Sequence, residues 1–176
     1  MYEPADLEDM AARDAVDAVA ADVREHRVRR DRHGLFTASR HIDLLCSLAT
    51  RLAADAEHRL SADQPYDPSL PSPEALGQAA GHIGRAIAHY TQALSPLITL
   101  SQQPRSTLAD QVDGIDETST LYAHLAHARQ ALAEARASLS APHEHGTPAA
   151  APARGAAINL PVDRILAPLD RPGRRR

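Results

Sequence analysis

Apolar side chains recur along the second half of the chain at alternating spacings of four and three residues. The first such set consists of Leu76, Ala80, Ile83, Ile87, Tyr90, Leu94 and Leu97. The second set consists of Leu121, Leu125, Ala128, Leu132, Ala135 and Leu139. This spacing places each set on one face of an α-helix. Two such faces predict a helical bundle with a water-free interior, so we predict an all-α fold.

The same pattern, read along the whole chain, predicts an antiparallel four-helix bundle in residues 1–140. The long helices are expected at about 5–31, 37–60, 73–95 and 116–140, with a short helix at about 106–113. Residues 61–73 hold four prolines, which predicts an extended connector that could carry the chain from one end of the bundle to the other, with a compact Ω-like loop as the alternative.

Local signals set the predicted helix ends. Ser72 and Pro73 are typical of an N-cap and a first helical position. Gly34 is expected to stop the first helix, and Pro96 to kink or end the third. The apolar pattern changes phase around Gly114, which predicts a break between the short helix and the last long one.

Residues 141–176 differ in composition from the rest. They hold six of the 13 prolines and are rich in alanine and arginine. Such a segment buries too little apolar surface to offset the entropy lost on ordering, so we expect a disordered tail. It contains an apolar island whose residues Ile158, Leu160, Ile165 and Leu166 are candidates for contacting a partner. The alternatives are that the island packs back onto the bundle or does nothing.

Composition excludes several chemistries. The chain has no lysine, which removes a Walker-type phosphate loop and a pyridoxal Schiff base. Its single cysteine, Cys46, excludes an internal disulfide, and we expect it to be a buried structural thiol. The first residues are acidic where a signal peptide is basic, and no apolar run approaches the ~20 residues of a membrane-spanning helix. We therefore expect a cytoplasmic protein without a membrane partner.

Two features suggest more helix-packing surface than one small bundle needs. Leu44 and Leu48 form a second apolar stripe on the second helix, and Gly77, Gly81 and Gly84 lie beside the stripe of the third. Our leading hypothesis is a non-enzymatic protein that acts by protein–protein interaction, either with itself or with a partner.

A basic cluster supports an alternative, a nucleic-acid-associated accessory or regulatory factor. The cluster consists of Arg24, Arg27, Arg29, Arg30 and Arg32, and the chain ends in three further arginines. Clustered arginines can neutralise phosphates. Against this, residues 1–140 hold 13 arginines and 20 acidic residues, a net charge of −7, and no aromatic residue interrupts the cluster to stack on a base. A solvated helix end is the simpler explanation.

Histidines support a third possibility, a metal-binding or enzymatic bundle. The candidates are His82, His89, His124 and His127. Imidazoles three residues apart can share one ligand site inside a bundle. Relative to the apolar faces, however, these positions point outward or flank the seam, so we expect surface histidines, no catalytic residues and no cofactor.

Overall fold

The computed structural model describes residues 2–61, 70–102 and 108–140. Within these ranges the chain forms one short 3₁₀ helix and four α-helices, and it forms no strand. The elements are the 3₁₀ helix Pro4–Leu7, α1 (Ala12–Glu25), α2 (Arg32–Ser61), α3 (Pro73–Gln102) and α4 (Leu108–Ser140). The predicted all-α fold is confirmed. The predicted tail, with Ile158, Leu160, Ile165 and Leu166, lies outside the described residues.

Contacts between the helices show the antiparallel arrangement. The pairs are His41 with Tyr90 and Arg59 with Pro71 between α2 and α3, and His82 with Glu134 and His89 with His124 between α3 and α4. In each case the residue number rises on one helix as it falls on the other. Helix α1 follows the same rule, since Asp17 pairs with Arg136 of α4 and the loop residue Arg30 bonds to Thr118. Helix α3 therefore packs between α2 and α4, and α1 packs against the same two helices.

The core consists of leucine, alanine, valine and isoleucine from all four helices. Leu44 and Leu48 have no exposed surface. Helix α2 contacts both α1 and α3, and it therefore needs a wider apolar face than one seam. The second stripe is thus part of this bundle's own interior, which corrects its interpretation as a surface for a partner.

The three glycines of α3 lie on its outer face. Gly77, Gly81 and Gly84 are exposed, and a Cβ placed on any of them meets no atom within 4 Å. None of the described helices approaches this stripe closely, so the glycines are not explained by packing within the bundle.

The predicted first helix is interrupted. The chain is helical from Ala12 to Glu25, and Arg27–Asp31 forms a loop before α2 begins at Arg32. The side chain of Asp31 accepts a 2.9 Å hydrogen bond from the Gly34 amide, which caps the first turn of α2. The cap explains why a helix starts where the sequence predicted a stop.

Gly34 is required by a close approach of the backbone. A Cβ at this position would lie 1.7 Å from the carbonyl oxygen of Arg29. The absent side chain lets the loop fold directly onto the start of α2. Gly34 therefore lies inside α2 and fixes the path of the loop instead of ending α1.

Two predicted breaks do not occur. Helix α3 continues through Pro96 to Gln102. Pro96 is buried, and so are Leu97 and Leu100 in the turn that follows it. Burial of this last segment outweighs the one backbone hydrogen bond that proline removes. Helix α4 is likewise continuous through Gly114, whose carbonyl accepts a 2.5 Å bond from the Thr118 hydroxyl. No helix in the described part of the chain is long and apolar enough to cross a bilayer.

Candidate functional site

A cavity of about 650 Å³ lies where the loop after α1 meets α4. Its lining combines a cationic rim, one aromatic ring and two apolar side chains. The lining residues are Arg27, Val28, Arg29, Arg30, Asp31, Tyr122, Leu125 and Arg129. Four arginines and one aspartate give this cavity, which we call the arginine cavity, a formal charge of +3.

The loop sequence explains how the arginines are presented. Val28 is only 7% exposed and anchors the loop in the core, whereas its neighbours Arg27 and Arg29 are exposed. The buried valine thus turns the flanking guanidinium groups toward solvent.

Helix α4 supplies the opposite wall. Tyr122, Leu125 and Arg129 are spaced three and then four residues apart, so they lie on one face of the helix. Leu125 is buried, while Tyr122 is half exposed and Arg129 is exposed. The wall therefore carries an aromatic and a cationic residue whose backbone positions are about 10.5 Å apart along the helix axis, with the buried Leu125 between them.

The four arginines of the cavity differ in whether their guanidinium groups already form hydrogen bonds or ion pairs. Arg29 lies 3.4 Å from the Asp31 carboxylate, and Arg30 donates a 3.2 Å bond to the Thr118 hydroxyl. Arg27 and Arg129 have no hydrogen bond or ion pair with any described residue. These two guanidinium groups are the ones with their full set of donors open to a ligand.

A second cavity of about 380 Å³ follows the groove between α1 and α4 and shares Arg129 with the first. The other two arginines in its lining, Arg24 and Arg136, already have partners within the protein. Arg136 lies 2.6 Å from the Asp17 carboxylate, and Arg24 donates to the carbonyl of Ala20 at 3.3 Å. The open positive charge is thus concentrated in the arginine cavity.

The structure brings together four of the five arginines singled out in the sequence. Arg24, Arg27, Arg29 and Arg30 line one cavity or the other, whereas Arg32 lines neither. These positions are not one charged helix end, because Arg24 belongs to α1, Arg32 begins α2 and the other three lie in the loop between them.

Sequence reasoning missed the contribution of α4. Tyr122 supplies the aromatic ring that the cluster itself lacks, and it comes from a segment far along the chain. A local signal existed, since Tyr122, Arg129 and Arg136 repeat every seven residues and so share one helix face. Nothing in the sequence indicates that this face meets the loop after α1.

Three of the four candidate histidines are neighbours. The ring centroid of His89 lies 5.0 Å from that of His127 and 6.1 Å from that of His124. His89 and His124 are partly buried, and their Nδ1 atoms have no hydrogen-bond partner. The expectation that these side chains face solvent is correct only for the exposed His127.

The histidine cluster is not arranged as a metal centre. Among the described residues, no group of three or more histidine, cysteine, aspartate or glutamate side chains is placed so that it could hold a metal ion. The fourth candidate, His82, is separate from the cluster and lies 2.9 Å from the Glu134 carboxylate.

The Glu134 carboxylate on α4 contacts side chains of both α3 and α4. It accepts hydrogen bonds from Gln130 and from Arg85, and it also contacts His82. These hydrogen bonds, that of Gln130 first, lower the pKa of Glu134 to about 2. The group fixes the register of the two helices at the bundle surface.

A buried polar set crosses the bundle interior. Asp22, His41 and Tyr90 come from α1, α2 and α3, and each is at most 2% exposed. The Tyr90 hydroxyl lies 2.9 Å from Nδ1 of His41, and Nε2 of His41 lies 3.6 Å from the Asp22 carboxylate. Burial lowers the pKa of His41 to about 4, although the Asp22 charge opposes this, and burial raises the pKa of Tyr90 above its usual range.

The N-terminal residues cover this set. The backbone amide of Tyr2 donates a 3.2 Å bond to Asp22, and Arg40 donates to the carbonyl of Tyr2. His26 also lies 3.2 Å from the same carboxylate. Among the described residues, only Oδ1 of Asp22 accepts a hydrogen bond, from the Tyr2 amide, and the carboxylate is otherwise surrounded by the cationic or imidazole groups of His26, Arg40 and His41 at 3.2–3.9 Å.

Cys46 is exposed on α2. The expectation of a buried thiol was wrong, because the buried face of α2 runs through Leu44, Leu45 and Leu48 and turns position 46 outward.

No protein-family model, no curated protein and no solved structure matches this chain.

Proposed function

We propose that this protein binds a small phosphorylated ligand in the arginine cavity. The observation that carries the proposal is the pair Arg27 and Arg129, two exposed guanidinium groups on opposite walls with no partner among the described residues. A guanidinium group presents its donors in a planar fork that matches phosphate oxygens. The third and fourth arginines, Arg29 and Arg30, add positive charge at the rim.

The size of the cavity favours a small ligand. Its volume of about 650 Å³ lies within the usual range for small-molecule sites, about 300–1,000 Å³. The apolar residues Val28 and Leu125 form a floor that excludes water beneath the ligand, and this strengthens each charge-assisted bond.

A nucleic-acid function, the sequence-based alternative, has weaker support. The arginines are concentrated at one cavity, and Arg136 in the adjoining groove is already paired with Asp17. The net charge of −7 over residues 1–140 repels a long polyanion outside this patch. Duplex binding would need a continuous basic surface.

A function in protein–protein interaction, the leading hypothesis from the sequence, is also less well supported than ligand binding in the arginine cavity. Leu44 and Leu48 are buried, which leaves the exposed glycine stripe of α3 as its remaining basis in the described residues. Protein partners and a cytoplasmic location therefore remain predictions from the sequence.

Binding of inorganic pyrophosphate, measured by isothermal titration calorimetry in low salt, tests the proposal. We expect Arg27→Ala and Arg129→Ala each to weaken binding about tenfold or more, because each removes a charge-assisted hydrogen-bond donor. The matched control is Arg32→Ala, which removes an equal charge at the residue directly after the loop, a position that lines neither cavity.

The control decides between a site and a diffuse charge effect. Unchanged affinity in Arg32→Ala, together with losses in the two cavity variants, supports the proposal. Equal losses in all three variants, or no binding by the unaltered protein, would overturn it.

A further inference from the structure

We infer that the ligand of the arginine cavity is a nucleoside diphosphate, with its base stacked on Tyr122 and its phosphates bound by Arg27 and Arg129. This inference rests on the proposed function and adds the chemical class of the ligand. Three features of the cavity carry it: an exposed aromatic ring, the spacing of that ring from the open cation, and the balance of charge.

Tyr122 is exposed without a structural reason. Half of its surface (51%) is accessible, and it makes no hydrogen bond with a described residue. The other tyrosine of the helix interfaces, Tyr90, is buried and hydrogen-bonded. An exposed aromatic face beside arginines offers both halves of nucleotide recognition, because bases stack on aromatic rings and guanidinium groups bind phosphates.

The spacing of the ring and the cation suits a base joined to a diphosphate. Tyr122 and Arg129 are two helical turns apart, about 10.5 Å along the axis. With the base stacked on Tyr122, this separation of the two backbone positions leaves space along α4 for the sugar and phosphates to extend toward Arg129. Leu125, buried midway between them, provides an apolar surface beneath the sugar.

The charge of the cavity matches the same ligand. Its four arginines and one aspartate sum to +3, and a nucleoside diphosphate carries about three negative charges at neutral pH. Arg129 is the last arginine along this face of α4 that has no partner among the described residues. Arg136, two turns further on, forms an ion pair in which its Nε lies 2.6 Å from the Asp17 carboxylate. A longer phosphate chain or a polynucleotide would meet paired charges there.

The test compares three probes on the full chain: adenosine diphosphate, inorganic pyrophosphate and a single-stranded oligonucleotide. The unaltered protein is expected to bind adenosine diphosphate at least about tenfold more tightly than pyrophosphate, the gain expected from stacking one base. The variant Tyr122→Leu should lose that gain, so that its affinity for adenosine diphosphate falls to about its own affinity for pyrophosphate. Tyr122→Phe, which keeps the ring, is the matched control and should retain the gain.

The outcomes separate this inference from the function on which it rests. Equal affinity for the nucleotide and pyrophosphate, insensitive to Tyr122→Leu, overturns the nucleotide inference and leaves phosphate binding in place. Absence of pyrophosphate binding overturns both. Tighter binding of the oligonucleotide than of adenosine diphosphate overturns the diphosphate assignment in favour of single-stranded nucleic acid. An unchanged melting temperature of Tyr122→Leu shows that its effect comes from the cavity.

Discussion

The hydroxyl of Tyr90 on α3 and Nδ1 of His41 on α2 lie 2.9 Å apart in the interior of the bundle. Because Tyr90 stays protonated at neutral pH, its hydroxyl donates and the neutral imidazole accepts. The opposite nitrogen of His41 then points its N–H toward Asp22, 3.6 Å away. The imidazole therefore joins α2 to α3 by one hydrogen bond and lies beside Asp22 of α1 without a hydrogen bond to it, and its lowered pKa keeps it uncharged at neutral pH.

The neutral state of His41 predicts a loss of stability in mild acid. Its pKa is lowered from the ordinary 6.5 to about 4 in the folded protein, so the unfolded chain binds more protons between these values. The contribution of His41 is present above pH 6.5 and is lost as the pH falls toward 4, by about 3 kcal/mol in total. Urea unfolding at pH 7 and at pH 5 measures this change.

A variant isolates the titration of His41. His41→Gln removes the proton-binding group, so its free energy of unfolding should change much less between pH 7 and pH 5, whatever its value at pH 7. His33→Gln, at an exposed position near the start of α2, should keep the pH dependence of the unaltered protein. An unaltered dependence in His41→Gln would show that another group is responsible.

Two glycine substitutions should have opposite effects on stability. Gly34→Ala brings a Cβ against the carbonyl oxygen of Arg29 and should destabilise the protein by about 1–3 kcal/mol, because the backbone must shift. Gly77→Ala places a methyl group in open space on an exposed helix and should stabilise it by about 0.5–1 kcal/mol. Thermal unfolding measures both, and destabilisation of similar size in each would contradict the close approach at Gly34.

The buried position of Leu48 predicts a large loss of stability on truncation. Leu48→Ala removes a side chain with no exposed surface and should cost about 2–5 kcal/mol in the free energy of unfolding. Leu60→Ala, on the same helix at a position 76% exposed, should change it by less than about 0.5 kcal/mol. A small effect at Leu48 accompanied by dissociation of an oligomer would instead restore its interpretation as a partner surface.

The exposed thiol of Cys46 should react in the folded protein. Because the side chain is accessible on α2, a thiol reagent such as 5,5′-dithiobis(2-nitrobenzoate) should label one group per chain under native conditions. The native rate should approach the rate in denaturant, without loss of helical circular dichroism. Labelling that requires denaturant would indicate a buried thiol.

The sequence pattern was sufficient for the class of the fold, because α3 and α4 carry uninterrupted apolar faces whose period identifies a helix. It was insufficient for the ends of the helices. Pro96 and Gly114 are local helix-breaking signals, yet both helices continue through them, and after Pro96 helix α3 buries Leu97 and Leu100. Tertiary packing outweighs local propensity at such positions, and a single sequence does not contain the packing partner.

The candidate site was predictable only in part, for a related reason. The arginines of the loop form a visible cluster, but Tyr122 and Arg129 join them through contact between segments about 90 residues apart in the chain. His41 offered a subtler signal, since it occupies an apolar position in the four-and-three spacing of Ala38, Leu45 and Leu48. A polar residue in such a seam indicates a buried hydrogen bond, although not its partner.

The short first helix leaves space for the arginine cavity. Helix α1 has 14 residues, whereas α2, α3 and α4 have 30, 30 and 33, and the loop Arg27–Asp31 that follows α1 lines the cavity beside α4. Insertions or deletions beside Val28 and Arg29 would therefore alter both the volume of the cavity and the core contacts of the loop. A protein engineer who changes the length of this loop should keep the buried valine and the glycine that receives the loop.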